Sequence, residues 1–152
     1  MEIFLLRLLS CFLMSAAFGI LCRIPQSALL WSGAGGALCW AVMYAVSQAG
    51  GKLVAAVFFG SLALGLAAEW LARRTHKPAT IYIVTGFIPL VPGAEAYHTM
   101  RLLVEGTYAE AGSMAVRMLL IAGAIAFGLF LSSALIRMLR RNGKGAGKHA
   151  AV

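Results

Sequence analysis

The chain has 152 residues, 61% of them hydrophobic and only 12% charged, against roughly 45–50% apolar and about 25% charged in soluble globular proteins. Five acids and thirteen bases cannot cover the surface of a soluble domain of this length, so the composition excludes a soluble enzyme, a disordered chain and a disulfide scaffold. The formal net charge of +8 does not point to nucleic acid, because the bases sit between apolar runs and in the tail after Arg137, the placement that orients a polypeptide in a bilayer.

A membrane-spanning helix needs about 20 mostly apolar residues. Five segments approach that requirement and predict an all-α, polytopic membrane bundle: Ile3 to about Cys22, Ala28 to about Ser47, Lys52 to about Ala72, Pro78 to about Tyr97, and Ser113 to about Met138. The first reads as a retained helix rather than a cleaved signal. Glu2 precedes any base, the apolar run is long for a signal core, and Leu21 is too large for the position before a lipoprotein cysteine. Arg7 lies near its end, where it can snorkel.

The connections Arg23–Ser27, Ala49–Gly51 and Arg73–Lys77 leave no room for an extramembrane domain, and His98–Gly112 is expected to be the longest loop. The organisation expected is a transmembrane domain over 1–139 and a basic cytoplasmic tail over 140–152. Cys11, Cys22 and Cys39 all lie in apolar segments without metal-ligand spacing and read as small buried hydrophobes. Small residues four apart (Gly33 and Ala37, Ala56 and Gly60, Ser61 and Gly65, Ala124 and Gly128) mark helix-packing faces. No internal repeat of 20 to 50 residues is apparent.

With five crossings and the tail inside, the cytoplasmic side collects Arg23, Arg73, Arg74, Lys77, Arg137, Arg140, Arg141, Lys144 and Lys148, leaving Arg7, Lys52, Arg101 and Arg117 outside. A fourth segment that dipped in and returned would split the thirteen bases seven to six. The positive-inside rule therefore favours five crossings, with the N-terminus outside and the C-terminus cytoplasmic.

The fourth segment carries the chemistry. Pro78 suits a helix start, but Pro89 and Pro92 each lack an amide hydrogen and clash with the carbonyl four residues before. The helix is expected to break between Gly86 and Gly93. Freed carbonyls cannot face lipid, so the break must face protein or water, and discontinuous helices place bare backbone groups at transporter substrate sites. The alternative is a proline kink that only shapes packing. On the site reading Thr85, Gly86, Pro89, Pro92 and Gly93 contact substrate, while Tyr97 and Arg101 line the outer exit.

Glu69 is the acid that lies well inside an apolar run, and Arg73 follows it by one turn on the same face. The pair reads either as an interfacial ion pair or as a coupling or gate element. Arg117 either meets a carboxylate, on substrate or on a neighbouring helix, or snorkels to the headgroups. His76 and His98 are bystanders or pH-responsive groups. Catalytic templates are lacking, no cofactor or metal is implied, and the tail's Gly143, Lys144, Gly145, Ala146, Gly147, Lys148 run has the wrong spacing for a phosphate loop.

Pro78, Ala79, Thr80 at the start of this segment, Pro89, Leu90, Val91, Pro92, Gly93 at its core, and Tyr97 and Met100 beyond resemble the bacterial threonine/serine exporter family. The similarity is closest to small-subunit members that correspond to the C-terminal half of the fused exporter. The resemblance implies a secondary exporter, with proton-driven exchange, of threonine and serine or, in two-subunit members, succinate. It also implies a larger membrane subunit as partner and the bacterial inner membrane as location. The rival expectations are a structural or assembly subunit without substrate contacts, and a self-sufficient channel.

Overall fold

The computed structural model describes residues 2–146 and is helical throughout, with no strand among the described residues. Its elements are α1 (Glu2–Leu21), α2 (Gln26–Gln48), α3 (Leu53–Thr75), α4 (Ala79–Gly86), a 3₁₀ turn (Ile88–Leu90), α5 (Gly93–Val104) and α6 (Tyr108–Ala146). Prolines set two of the starts: Pro25 and Pro78 precede α2 and α4 in extended conformations that a proline adopts readily. Between α5 and α6 the chain reverses at Gly106, whose φ of +80° is the left-handed region a glycine enters without strain.

Four helices are long and apolar enough to cross a membrane: Glu2–Leu21, Gln26–Gln48, Leu53–Thr75 and Tyr108–Leu139. The pair Ala79–Leu90 and Gly93–Val104, bent by 52°, makes a fifth if it counts as one span.

Two boundaries differ from the sequence expectation. Residues 98–112 are not a loop, because α5 continues to Val104 and α6 starts at Tyr108. Polarity alone does not end a helix: the Arg101–Glu105 pair, 2.7 Å apart at helical spacing, supports the last turn of α5, while Ala96, Thr99 and Leu102 lie half-buried. At the other end α6 runs past Met138 to Ala146; residues 147–152 of the basic tail lie outside the described residues. Of the cysteines, Cys39 is buried and Cys11 partly so, but Cys22 is exposed, since α1 has ended one residue before it.

Lipid tails are as apolar as leucine, so helices in a bilayer associate through close packing of small residues rather than by escape from solvent. That is how these helices meet. A Cβ placed on Gly33 would fall 2.8 Å from the Phe12 ring of α1, and one on Gly60 would fall 2.9 Å from the Cys39 carbonyl of α2. Between α3 and α6 the contact is reciprocal: Ser61 packs on Gly128, where a Cβ would also lie 2.8 Å from the Phe58 carbonyl, and Ser132 Cβ lies 2.7 Å from the Cβ position of Gly65.

The order of these contacts gives direction. Ser61 meets Gly128 and Gly65 meets Ser132, so residue numbers rise together and α3 and α6 run parallel. The segment between them runs the other way. Ile83 lines one cavity together with Leu129, Phe130 and Ser133, Leu90 shares a buried cluster with Ile121 and Ile125, and Glu95 faces Arg117. The fourth segment therefore traverses the bundle from the end where α3 finishes to the end where α6 begins.

The α3–α6 contact makes a direct test. Gly128→Val places a branched side chain against the Phe58 carbonyl and should destabilise the protein by about 1–3 kcal/mol. Gly123→Ala on the same helix, where the added methyl meets nothing within 4 Å, should be neutral. Gel filtration of detergent-solubilised protein after graded heating reads the difference.

Candidate functional site

The fourth segment begins at a sharp reversal. α3 closes with His76 in the left-handed conformation (φ 53°), its N–H donating to the Ala72 carbonyl. Lys77 then donates to Ser27 at the start of α2, and Pro78 opens α4. One face of α4 is sealed into the bundle. Tyr82 is 1% exposed and packs with Ala28, Ala68 and Leu71, and its hydroxyl lies 2.8 Å from Thr75 Oγ1.

Thr85 is fully buried. Its hydroxyl donates to the Ile81 carbonyl at 2.8 Å and accepts from Ser32 of α2. Gly86 is present because no side chain fits: a Cβ there would sit 2.5 Å from Leu64 Cδ1.

Past Gly86 the hydrogen bonding changes character. The Phe87 N–H makes the last α-type bond, to Ile83 O at 3.1 Å. Pro89 has no N–H to offer the Thr85 carbonyl, nor Pro92 the Ile88 carbonyl. Val91 serves Ile88 instead, at 3.2 Å, and Leu90 bonds to Phe87 at 2.8 Å, which gives the 3₁₀ turn. Ala96 then donates to Pro92 O at 3.1 Å as α5 begins. The irregular backbone lies against α1, α2 and α3, with Leu90 only 4% exposed.

Farther along, Glu95 is turned toward α6, where its carboxylate lies 4.0 Å from Arg117 Nε. Arg117 thus faces an acid on a neighbouring helix, with its own side chain 56% exposed. Tyr97 and Arg101 face outward from α5, and with Met100, Val104 and Glu105 they border a shallow cavity of about 290 Å³. The His98 ring meets the Tyr97 ring edge to face at 5.8 Å. Glu69 and Arg73 lie at the opposite end of the bundle, Glu69 half-buried and Arg73 exposed, and they form no ion pair with each other; the pairs among the described residues are Arg101–Glu105 and Arg117–Glu95.

The sequence candidates thus fall into three groups. Thr85, Gly86 and Pro89 come together inside the bundle. Pro92 is half-buried and Gly93 exposed at the far side of the bend, with Tyr97, Arg101 and Arg117 beyond them. Glu69 and Arg73 stand apart.

The residue that sequence reasoning overlooked is Ser32, fully buried against Thr85. Its setting, Ser32-Gly33-Ala34-Gly35-Gly36, reads as a packing surface, and the available signal was a hydroxyl on the small-residue face of an otherwise apolar helix.

Comparison with known proteins agrees with this architecture. A family model described as Threonine/Serine exporter, ThrE, matches residues 7–135. Searches of curated proteins and of solved structures found no match. With most of its length matched and four to five helices fit to cross a bilayer, the chain is a multi-pass membrane protein of transporter type and belongs to the threonine/serine exporter family.

Proposed function

We propose that this chain is the small membrane subunit of a two-component secondary exporter in the bacterial inner membrane. Its cargo is a small carboxylate or hydroxy amino acid, with threonine and serine or succinate as the classes in view. The observation that carries the reading is the irregular backbone from Phe87 to Pro92, lying against α1, α2 and α3 midway along a segment that traverses the whole bundle. Backbone groups without helical partners are tolerated at membrane depth only where protein or water shelters them, and transporters use such places to bind cargo.

On this reading α4, the 3₁₀ turn and α5 form one broken span. A re-entrant fourth segment would make α3 and α6 antiparallel, whereas their contacts run in parallel register. Five spans put the two termini on opposite sides. Arg23, Arg73, Arg74, Lys77 and Arg137 gather at one end of the bundle, which supports a cytoplasmic C-terminus and an external N-terminus.

Thr85, Gly86, Pro89, Pro92 and Gly93 form this chain's share of the cargo site. In this conformation Thr85 and Gly86 are packed shut against Ser32 and Leu64, so cargo enters only when α4 moves relative to α2 and α3. The Glu95–Arg117 pair closes the far side of the bend by tying α5 to α6 and serves as the outer gate, with Tyr97 and Arg101 at the exit. Glu69 and Arg73, at the opposite end, are the inner coupling or gate candidates. The larger membrane subunit supplies the counterpart half, since alternating access commonly rocks one repeat against another around a central site.

Three measurements test the reading. Cysteine labelling in intact cells should find a residue introduced in the Glu105–Thr107 turn accessible from outside and one beside Lys77 accessible only after permeabilisation. The same side for both would remove the fifth span. Replacing Pro89 and Pro92 together by Ala should lower export of labelled threonine or succinate by about tenfold while the complex still assembles, the size expected when about 1.4 kcal/mol of cargo binding by the irregular backbone is lost. Unchanged export would make the prolines a packing kink. Finally, proteoliposomes holding this chain alone should show no flux until the larger subunit is added, and flux from the single chain would favour a channel.

A further inference from the structure

Besides Tyr82, whose hydroxyl bonds to Thr75 at the end of α3, five buried side chains among the described residues carry a hydroxyl: Ser15, Ser32, Ser61, Thr85 and Ser132. Ser61 and Ser132 donate to carbonyls of their own helices, Phe58 at 2.9 Å and Leu129 at 2.7 Å, and sit in the α3–α6 packing contact. Ser15 packs on Gly36 of α2, its hydroxyl without a hydrogen-bond partner. All three sit where a glycine of a neighbouring helix comes close.

Ser32 is different. Its hydroxyl meets another hydroxyl, on another helix, in a segment interrupted one turn later. Thr85 offers more than that hydroxyl, because its carbonyl has lost the α-helical donor that a residue other than proline at position 89 would supply. One buried point therefore holds two hydroxyls, each with donor and acceptor capacity, one turn before the interruption.

We infer that Ser32 is a second hydroxyl of the cargo site, bonded to Thr85 when the site is empty and to the cargo's own hydroxyl when it is filled. The inference rests on the reading of the interrupted segment as the cargo site. Exchange of one hydroxyl–hydroxyl bond for another conserves the number of bonds, so opening the pair to a hydroxylated amino acid costs little. A cargo of similar size without the hydroxyl parts Ser32 from Thr85 and leaves the Ser32 hydroxyl buried without a partner, the situation that gives polar sites their selectivity. Ser32 thus acts on which cargo is accepted, beyond its contribution to helix packing.

The test uses inside-out vesicles from cells expressing this chain with the larger subunit, labelled L-threonine as the transported probe, and unlabelled L-serine and L-alanine as competitors. Ser32→Ala should raise the threonine KM about five- to tenfold with little change in maximal rate, the loss expected for one hydrogen bond, and should abolish the preference for serine over alanine. Ser32→Thr, which restores a hydroxyl, should recover both. A Ser32→Ala protein with wild-type KM and selectivity, alongside a Thr85→Val protein impaired in both, would overturn the role of Ser32 and leave the cargo site in place. If neither variant altered KM or selectivity, the site itself would fall with it. Wild-type vesicles that took up labelled succinate but not threonine would overturn the hydroxyl pairing while leaving the exporter standing.

Discussion

A peptide group in hydrocarbon has no water to bond to, and that constraint governs this structure. α1, α2, α3 and α6 satisfy it internally by running as long uninterrupted helices. The fourth segment cannot, because Pro89 and Pro92 remove two donors within four residues. Part of the deficit is made good locally, where Val91 and Leu90 switch to 3₁₀ bonding. The rest is managed by position: the irregular stretch lies against three other helices, with Leu90 as its anchor in the core.

The bundle it packs against is built from small residues. Glycines at 33, 36, 60, 65 and 128 let neighbouring helices approach until side chains or carbonyls touch the backbone opposite. The tightest set, Ser61 and Gly65 against Gly128 and Ser132, fixes α3 and α6 in parallel. A segment that connects two parallel helices must return through the length of the bundle, so this one contact sets the course of α4 and α5. α4 is held differently. Besides the close approach of Gly86 to Leu64 and the packing of Tyr82 on Ala28, Ala68 and Leu71, hydroxyl pairs join it to its neighbours, Ser32 to Thr85 and Thr75 to Tyr82, bonds that average only about 0.6 kcal/mol between membrane helices.

Much of the fold was legible in the residues. Long apolar runs define helices whatever their neighbours, and pairs such as Ser61 and Gly65 mark a packing face because small size four residues apart has one structural use in lipid. The legibility stopped where a residue's role depends on what stands opposite. Residues 98–112 looked like a loop because they are polar, yet α5 and the first turns of α6 are helices that lean on one another, an arrangement visible only once both are placed. Glu69 and Arg73 have the spacing of an ion pair and do not form one, whereas Arg117, with no acid at helical spacing on its own helix, finds Glu95 across a turn.

Composition by itself determined that this chain enters a membrane, since too few charges remain to face water. Periodicity and proline placement determined the helices, because both act through the local backbone. The directions of the helices relative to one another, the packing of the Phe87–Pro92 backbone against α1, α2 and α3 and the meeting of Ser32 with Thr85 were decided only in the tertiary structure. Ser32 and Thr85 are 53 residues apart in the chain, and no local rule brings two hydroxyls together over that separation; the close approach of α2 and α4 does.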